Sequence, residues 1–333
     1  MRCVVCEAHA SLRAPSPFVT RVAIWSTFGQ MAKELPSLLP EEDVVVPANE
    51  SELDRAADAE VVIGTNNGTR ARAPLERAER VRWYHSVGAG VENLVVLPHF
   101  RERGITLTNN SGAMDIPIAE HVIAMVLAAA KRLYLYRDQQ SRHEWKGHRQ
   151  DELRGATLVV FGLGSIGAEA ARLGAALGMR VIGVRRSSLP VPGVERIVPP
   201  ERLADVVAEA DYLAVCAPLT ARTRGAVSRD VIGRMKPTAW VLNIARGPII
   251  DEEALIAALR ERRIGGAALD ALAVEPLPAD SPLWTLDNVM ITPHSSNSSP
   301  NVRPRSLALI RENLRRYKAG EPLLNVVDLD AGY

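Results

Sequence analysis

Cysteine is scarce, with 3 among 333 residues. That is too few for a disulfide framework and points to a reducing compartment. An excess of charge is missing as well. There are 40 basic and 39 acidic residues, for a formal charge of +1. No global positive field exists to attract nucleic acid or an anionic membrane, so anion binding must be local. Long apolar runs are also lacking. The longest, Val122 to Ala130, is too short to span a bilayer. The first 20 residues contain Glu7, His9, Arg13 and two prolines, and no unbroken apolar stretch of a secretory leader. There is no HExxH, no Walker A sequence, no metal-ligand cluster, no repeat and no low-complexity tract. Cys3 and Cys6 form a CxxC, but no second pair accompanies it, so no metal is expected. The expectation is a cytoplasmic protein with neither membrane nor nucleic-acid partners.

What is present is a core. Apolar residues make up 47% of the chain, enough to exclude disorder. At roughly 150 residues per domain, the length suggests about two domains. Strand candidates 19–25, 44–47, 59–65, 81–90 and 105–109 alternate with helical patterns. That alternation implies a parallel sheet covered on both faces. A long apolar helix is expected from Ile118 to about Tyr136, with Pro117 in its first turn. The polar segment 142–155 reads as a connector. A second α/β series follows, with strands at 157–161, 180–184, 212–216, 239–244, 267–270 and 289–292. Asp251 is placed as the N-cap of a helix over 251–263, and an amphipathic helix is expected over 305–320.

Gly162-Leu163-Gly164-Ser165-Ile166-Gly167 directly follows a β-branched strand and opens an alanine-rich helix. That context turns a weak GxGxxG pattern into a dinucleotide-binding turn. Gly162 permits the tight turn, Gly164 lets a pyrophosphate approach, and Gly167 lets helix and strand pack closely. The phosphates would sit at the helix N-terminus, where free N–H groups favour negative charge. An acidic residue usually ends the next strand and accepts from the ribose 2′-OH. Here Arg185-Arg186-Ser187-Ser188 stand there instead. Guanidinium groups suit a 2′-phosphate, so NADP(H) is expected over NAD(H).

Three further strand ends carry polar residues. They place Arg246, then Asp270 with Glu275, then His294 on the side where α/β sheets bind ligands. An arginine can hold a substrate carboxylate, a histidine can exchange a proton, and a carboxylate can orient the imidazole. The set suits reduction of a 2-keto acid.

These motifs, together with "CAPLTARTRG" (216–225), "NIARGPIIDEEAL" (243–255), "ALDALAVEPLP" (268–278), "ITPH" (291–294), "SVGAGVEN" (86–93) and "PIAEHVIAMVLA" (117–128), resemble the D-isomer-specific 2-hydroxyacid dehydrogenase family. The similarity runs from about Val22 to the C-terminus. It implies an α/β fold of two domains with a cleft between them. A Rossmann-type doubly wound parallel sheet (112–297) is inserted into a flavodoxin-like α/β substrate domain (1–111 plus 298–333). Dimerisation through the nucleotide domain and the long helix is also implied.

By the same resemblance, Arg246, Glu275 and His294 are the catalytic set. The cofactor contacts are Gly162 to Gly167, Arg185, Arg186, Ser187, Ala217, Pro218, Thr223, Ile244, Ala245, Arg246, Asp270, His294 and Ser296. Val87, Gly88, Ala89 and Gly90 hold the substrate carboxylate through backbone N–H groups, with Arg246. Glyoxylate, hydroxypyruvate or a related 2-keto acid is the implied substrate. The alternatives are a cofactor-sensing, corepressor-like binding protein and a sister dehydrogenase acting on phosphite or formate. Asn297 and Met114-Asp115 depart from the family pattern, and the first 18 residues have no assigned role. Among the remaining residues, His85, His99, His121, His143 and His148 read as structural or surface groups. Trp284 reads as core, Cys216 as a small hydrophobe, and 315–318 as the solvated face of the last helix.

Overall fold

The computed structural model describes residues 19–25 and 29–333. Cys3, Cys6 and the leader therefore lie outside the described residues. The chain divides into two compact units. One runs to Asn110 and resumes at Arg303, and the other spans Ser111–Val302.

The first unit is built on five parallel strands: β1 (Arg21–Trp25), β2 (Asp43–Val45), β3 (Val61–Gly64), β4 (Trp83–Ser86) and β5 (Thr106–Thr108), in the order β2-β1-β3-β4-β5. That is the flavodoxin-like order. Every residue of β3 (VVIG) and β4 (WYHS) is buried, as expected of a parallel sheet covered on both faces. Because side chains alternate along a strand, Tyr84 packs with Leu94, Phe100 and Leu107 on one face. Trp83 packs on the other with Ile310, Leu314 and Tyr317 from the C-terminal helix Val302–Ala319. Helices α1 (Gly29–Leu38), α2 (Gly68–Arg77) and α3 (Pro98–Glu102) complete this unit.

The second unit begins with α4 (Asp115–Ala130) and α5 (Leu133–Ser141). The single helix expected over 118–136 is thus two. The chain breaks at Arg132, which takes φ 57°, in the left-handed region. Lys131 and Arg132 hold the break by donating to the Asp151 carbonyl at 2.8 Å and to Asp151 Oδ2 at 2.9 Å. Apolar periodicity continues across this point and gives no sign of the turn. Seven parallel strands follow: β6 (Thr157–Phe161), β7 (Arg180–Val184), β8 (Arg196–Val198), β9 (Tyr212–Val215), β10 (Trp240–Asn243), β11 (Gly266–Leu269) and β12 (Val289–Ile291). Their order is β12-β11-β10-β9-β6-β7-β8, the doubly wound Rossmann arrangement with one added strand. Its topological switch point lies between β6 and β9, where such sheets bind ligands. Between the strands lie α6 (Ser165–Ala176), α7 (Leu203–Val206), α8 (Arg229–Gly233) and α9 (Glu252–Arg260). The Asp251 carboxylate caps α9 by accepting from Ala254 N–H at 2.9 Å.

Two further expectations are corrected. Trp284 is 54% exposed, not core. Its Nε1–H donates to the Pro278 carbonyl at 2.9 Å, so the ring lies along its own loop. The 315–318 run is not wholly solvated, since Tyr317 is buried and packs on Trp83 with ring centroids 5.6 Å apart. Among the described residues no helix is long and apolar enough to cross a membrane.

Candidate active site

The turn after β6 meets the turn after β9 at the switch point. Gly162 has φ +99°, and a Cβ on it would lie 2.4 Å from the Ala217 nitrogen. A Cβ on Gly167 would lie 1.9 Å from the Gly162 carbonyl oxygen. Only glycine lets strand, turn and helix approach this closely. At Gly164 the opposite holds, because a Cβ there would meet nothing within 4 Å. That side of the turn is open. The N-terminus of α6 has no side-chain cap and no acidic residue in its first turn, so its N–H groups and dipole are free to favour an anion. The residues fit a dinucleotide pyrophosphate.

Beyond β7, the Arg185 guanidinium folds over its own loop. Its Nε donates to the Ser187 carbonyl at 2.8 Å, and a terminal nitrogen donates to the Leu189 carbonyl. Ser187 Oγ accepts from Leu189 N–H at 3.3 Å. Arg186, Ser187 and Ser188 are exposed. Beyond β9, Thr223 Oγ1 donates to the Pro218 carbonyl at 2.6 Å, which closes the 218–223 loop. Burial pushes the Cys216 thiol up to about 12, so it packs as an unreactive group.

The three strand ends of the second unit are knitted together by backbone and amide contacts. Asn243, the last residue of β10, is buried. Its Nδ2 donates to the Arg246 and Ala271 carbonyls at 3.2 and 3.0 Å, and its Oδ1 accepts from Ala245 N–H at 3.1 Å. The Arg246 loop is thereby tied to the loop after β11. Gly247 permits the closest approach, since a Cβ there would lie 2.0 Å from the Leu272 carbonyl carbon. Arg246 itself is half-buried and donates to the Ala245 carbonyl at 2.7 Å.

Glu275 accepts from Leu272 N–H through Oε1 at 2.9 Å. Its Oε2 stands 2.8 Å from His294 Nδ1. The carboxylate can only accept, so Nδ1 carries the proton and Nε2 remains for exchange with a ligand. The two side chains are 40% and 38% exposed, so Nε2 can be reached.

His294 has φ 48°, in the left-handed region that few non-glycine residues occupy. Asp270 holds it there. His294 N–H donates to the Asp270 carbonyl at 3.0 Å. Ser295 N–H donates to Oδ1 at 2.9 Å and Ser296 N–H to Oδ2 at 3.1 Å. Thr292 Oγ1 adds a bond to Oδ1 at 2.6 Å. Burial disfavours the Asp270 charge, but the bonds from Ser296, Thr292 and Ser295 outweigh it and hold the carboxyl below its ordinary range.

Three contributors escape the sequence reading. Asn243 and Thr292 are small polar residues at the ends of otherwise apolar strands, which is the signal that could have marked them. His121 on α4 stands 3.2 Å from Thr292 Oγ1 and 3.9 Å from Asp270 Oδ1, so it belongs to this network. No spacing in the sequence announces it. The two departures from the family pattern meet: Asn297 Nδ2 is 3.8 Å from Met114 Sδ. Among the described residues there is no cluster that could hold a metal ion.

Val87, Gly88, Ala89 and Gly90 follow β4 in the first unit. Val87 N–H donates to the Gly64 carbonyl at 2.9 Å. Val87 and Gly88 are buried, and Ala89 and Gly90 are partly exposed.

A glycine turn at the switch point of a parallel sheet, with a polarised histidine at another strand end of that sheet, defines a nicotinamide-dependent oxidoreductase. Comparison with known proteins narrows the class. The family model for the D-isomer specific 2-hydroxyacid dehydrogenase NAD binding domain matches residues 123–296. The chain is 35% identical over 283 residues to a D-3-phosphoglycerate dehydrogenase of Methanocaldococcus jannaschii, covering 83% of this chain but only 53% of that protein. It is 31% identical over 299 residues to a glyoxylate reductase of Korarchaeum cryptofilum, covering 86% and 88%. A D-isomer specific 2-hydroxyacid dehydrogenase from Xanthobacter autotrophicus, solved with NADPH and MES, superposes with a TM-score of 0.84 at 30% identity, covering 95% and 100%. An NADPH-dependent glyoxylate/hydroxypyruvate reductase from Sinorhizobium meliloti, solved with NADP and sulfate, gives 0.85 at 26% identity, covering 94% and 100%. The chain belongs to the D-isomer specific 2-hydroxyacid dehydrogenase family.

Proposed function

We propose that this protein reduces a small 2-keto acid, such as glyoxylate or hydroxypyruvate, to the corresponding D-2-hydroxy acid with NADP(H) as the preferred cofactor. The observation that carries the reading is the 2.8 Å contact between His294 Nδ1 and Glu275 Oε2, on the sheet that also bears the glycine turn and Arg246. When bound, the nicotinamide supplies the hydride. Gly162 to Gly167 hold its pyrophosphate. Ala217, Pro218, Thr223, Ile244, Ala245, Asp270 and Ser296 are assigned to its remaining surface. Arg246 binds the substrate carboxylate and polarises the carbonyl, and the Val87–Gly90 backbone shares the carboxylate. His294 gives its Nε2 proton to the developing alkoxide, and Glu275 stabilises the imidazolium and fixes its tautomer.

The cofactor preference rests on the end of β7, which offers two arginines and no carboxylate. Arg185 holds the loop through the Ser187 and Leu189 carbonyls. Arg186 and Ser187 are assigned to the 2′-phosphate, with Arg185 beside them. Two solved relatives were obtained with NADPH or NADP. A kinetic panel of glyoxylate, hydroxypyruvate, pyruvate and phenylpyruvate with NADPH and NADH tests both parts. Turnover on at least one acid with a higher kcat/KM for NADPH is expected. A clear NADH preference would remove the cofactor assignment. Tight cofactor binding without turnover on any acid would remove the enzymatic one.

A further inference from the structure

Three adjacent strands of the first unit, β3, β4 and β5, deliver their carboxyl ends side by side. β3 leads to Asn66, β4 to the 87–90 loop, and β5 to Asn109 and Asn110. Every carbonyl of that loop is engaged. Val87 O accepts from Asn110 Nδ2 at 3.0 Å. Gly88 O accepts from Asn110 N–H at 3.1 Å and from Ser86 Oγ at 3.2 Å. Ala89 O accepts from Asn109 Nδ2 at 3.0 Å, and Gly90 O from Asn66 Nδ2 at 3.4 Å. In a planar trans peptide, a carbonyl and the N–H of the following residue point opposite ways. Fixing the Gly88 and Ala89 carbonyls therefore fixes the N–H groups of Ala89 and Gly90 on the other side. Neither N–H has an acceptor among the described residues. Successive N–H groups held this way make an anion-binding concavity.

The braces are themselves braced. Asn109 N–H donates to the Asn325 carbonyl at 3.1 Å, and Asn325 Nδ2 returns a bond to Asn109 O at 3.3 Å. Asn110 Nδ2 also reaches Ser306 Oγ at 2.8 Å. Asn66 lies so close to the loop that a Cβ on Gly88 would come within 2.6 Å of its Nδ2. The donors suit the task because they are neutral. An aspartate at these places would repel both the loop carbonyl and the ligand.

We propose that Asn66 and Asn109, with the buried Asn110, are positioning residues of a carboxylate receptor. They do not touch the substrate. They pin the carbonyls of residues 88–90 so that the Ala89 and Gly90 N–H groups face it. This rests on the reading that the substrate is a carboxylic acid.

The test uses the full chain with NADPH present and oxalate as the probe, titrated calorimetrically into wild type, Asn109→Ala, Asn109→Asp and Asn66→Ala. Thermal melts and NADPH titrations run in parallel. Loss of one brace should weaken oxalate by about tenfold in Asn109→Ala and by more in the isosteric Asn109→Asp, with a smaller loss in Asn66→Ala across its longer bond. The NADPH dissociation constant should stay within about twofold of wild type, because the cofactor turn lies in the other unit. In turnover, KM for glyoxylate should rise while kcat holds. A purely structural role would instead lower the melting temperature and leave oxalate affinity of the folded protein unchanged. Oxalate binding by Asn109→Asp equal to that of wild type overturns the proposal, as does a wild type that binds no oxalate. A wild type that binds oxalate in this asparagine-dependent way but reduces no 2-keto acid would leave the receptor standing and remove the enzymatic reading.

Discussion

At the carboxyl end of β6, two glycines bring strand, turn and helix into backbone contact, and the N–H groups come from an uncapped helix. At the carboxyl end of β4 there is no such helix at the turn. There the N–H groups are oriented from behind, by side-chain amides holding the carbonyls. Both turns are proposed to receive an anion, yet they would fail differently. The first depends on the absence of Cβ atoms against rigid backbone. The second depends on the presence of particular donors, each replaceable one at a time. A third loop, at the end of β12, serves as the control. Its Ser295 and Ser296 N–H groups are taken by the Asp270 carboxylate, and it presents His294, the proposed proton donor.

The largest expected effect separates that control from both turns. His294→Ala should lower kcat by about 10²–10⁴-fold, the usual worth of a positioned acid. NADPH and oxalate affinities, measured by titration, should stay within a few-fold. Near-wild-type turnover would remove His294 as the proton donor. Next comes Gly167→Ala. The new methyl would meet the Gly162 carbonyl at 1.9 Å, and backbone cannot yield as a side chain can. An overpacking strain of about 1–3 kcal/mol should weaken NADPH by roughly 5- to 150-fold while leaving oxalate binding to the other turn in place. Unchanged NADPH affinity would mean that the close approach is not needed for binding.

How much of this was legible in the sequence follows from what each residue depends on. Gly162, Arg246 and His294 stand within three residues of a strand end, and Gly167 and Glu275 follow in the same short motifs, where local pattern and chemistry coincide. The strands 157–161 and 180–184 were legible to the residue, because buried β-branched runs end abruptly at glycine or charge. The bracing amides were not legible. Asn66, Asn109 and Asn110 look like ordinary turn residues, and their partners lie about 20 or more positions away. His121 was hidden for the same reason, since Thr292 is 171 residues distant. The break at Arg132 was hidden because a left-handed residue needs no glycine when nearby carbonyl and carboxylate groups hold it. Strand β8 is only three residues long and has no fully buried residue, so it carries no alternation to detect.

The floor beneath the β4 turn offers a further contrast, because it contains a titratable group. His85 is fully buried, with Nδ1 2.8 Å from Thr108 Oγ1. The same oxygen accepts from Trp83 Nε1 at 2.8 Å, and with one proton and a second lone pair it can pair with either neutral tautomer of His85. Burial lowers the His85 pKa from 6.5 to about 3. Between those values the unfolded chain binds the proton and the folded one does not. Stability is therefore fully present above 6.5 and declines as pH falls toward 3. From pH 7 to pH 5 the loss should approach roughly 2 kcal/mol. Urea unfolding of wild type and His85→Gln at the two pH values measures it. The variant should lose less stability between them, and an equal loss would assign the acid sensitivity elsewhere.

The smallest effect bears most directly on how the two turns differ. Gly88→Ala also creates a clash, but against the Asn66 carboxamide, with contacts at 2.6 and 2.7 Å. A side chain can swing aside where a backbone cannot. The new methyl should therefore be accommodated by displacing Asn66, which releases the Gly90 carbonyl and keeps the fold. Loss of one long, half-exposed hydrogen bond is worth about 0.5–1.5 kcal/mol, so KM for the 2-keto acid should rise by roughly 2- to 13-fold. Adding Asn66→Ala to Gly88→Ala should then cost nothing more, because the first change has already removed the brace. If the two changes add in full, the methyl acts on the loop itself, and the β4 turn is as dependent on bare glycine as the one after β6.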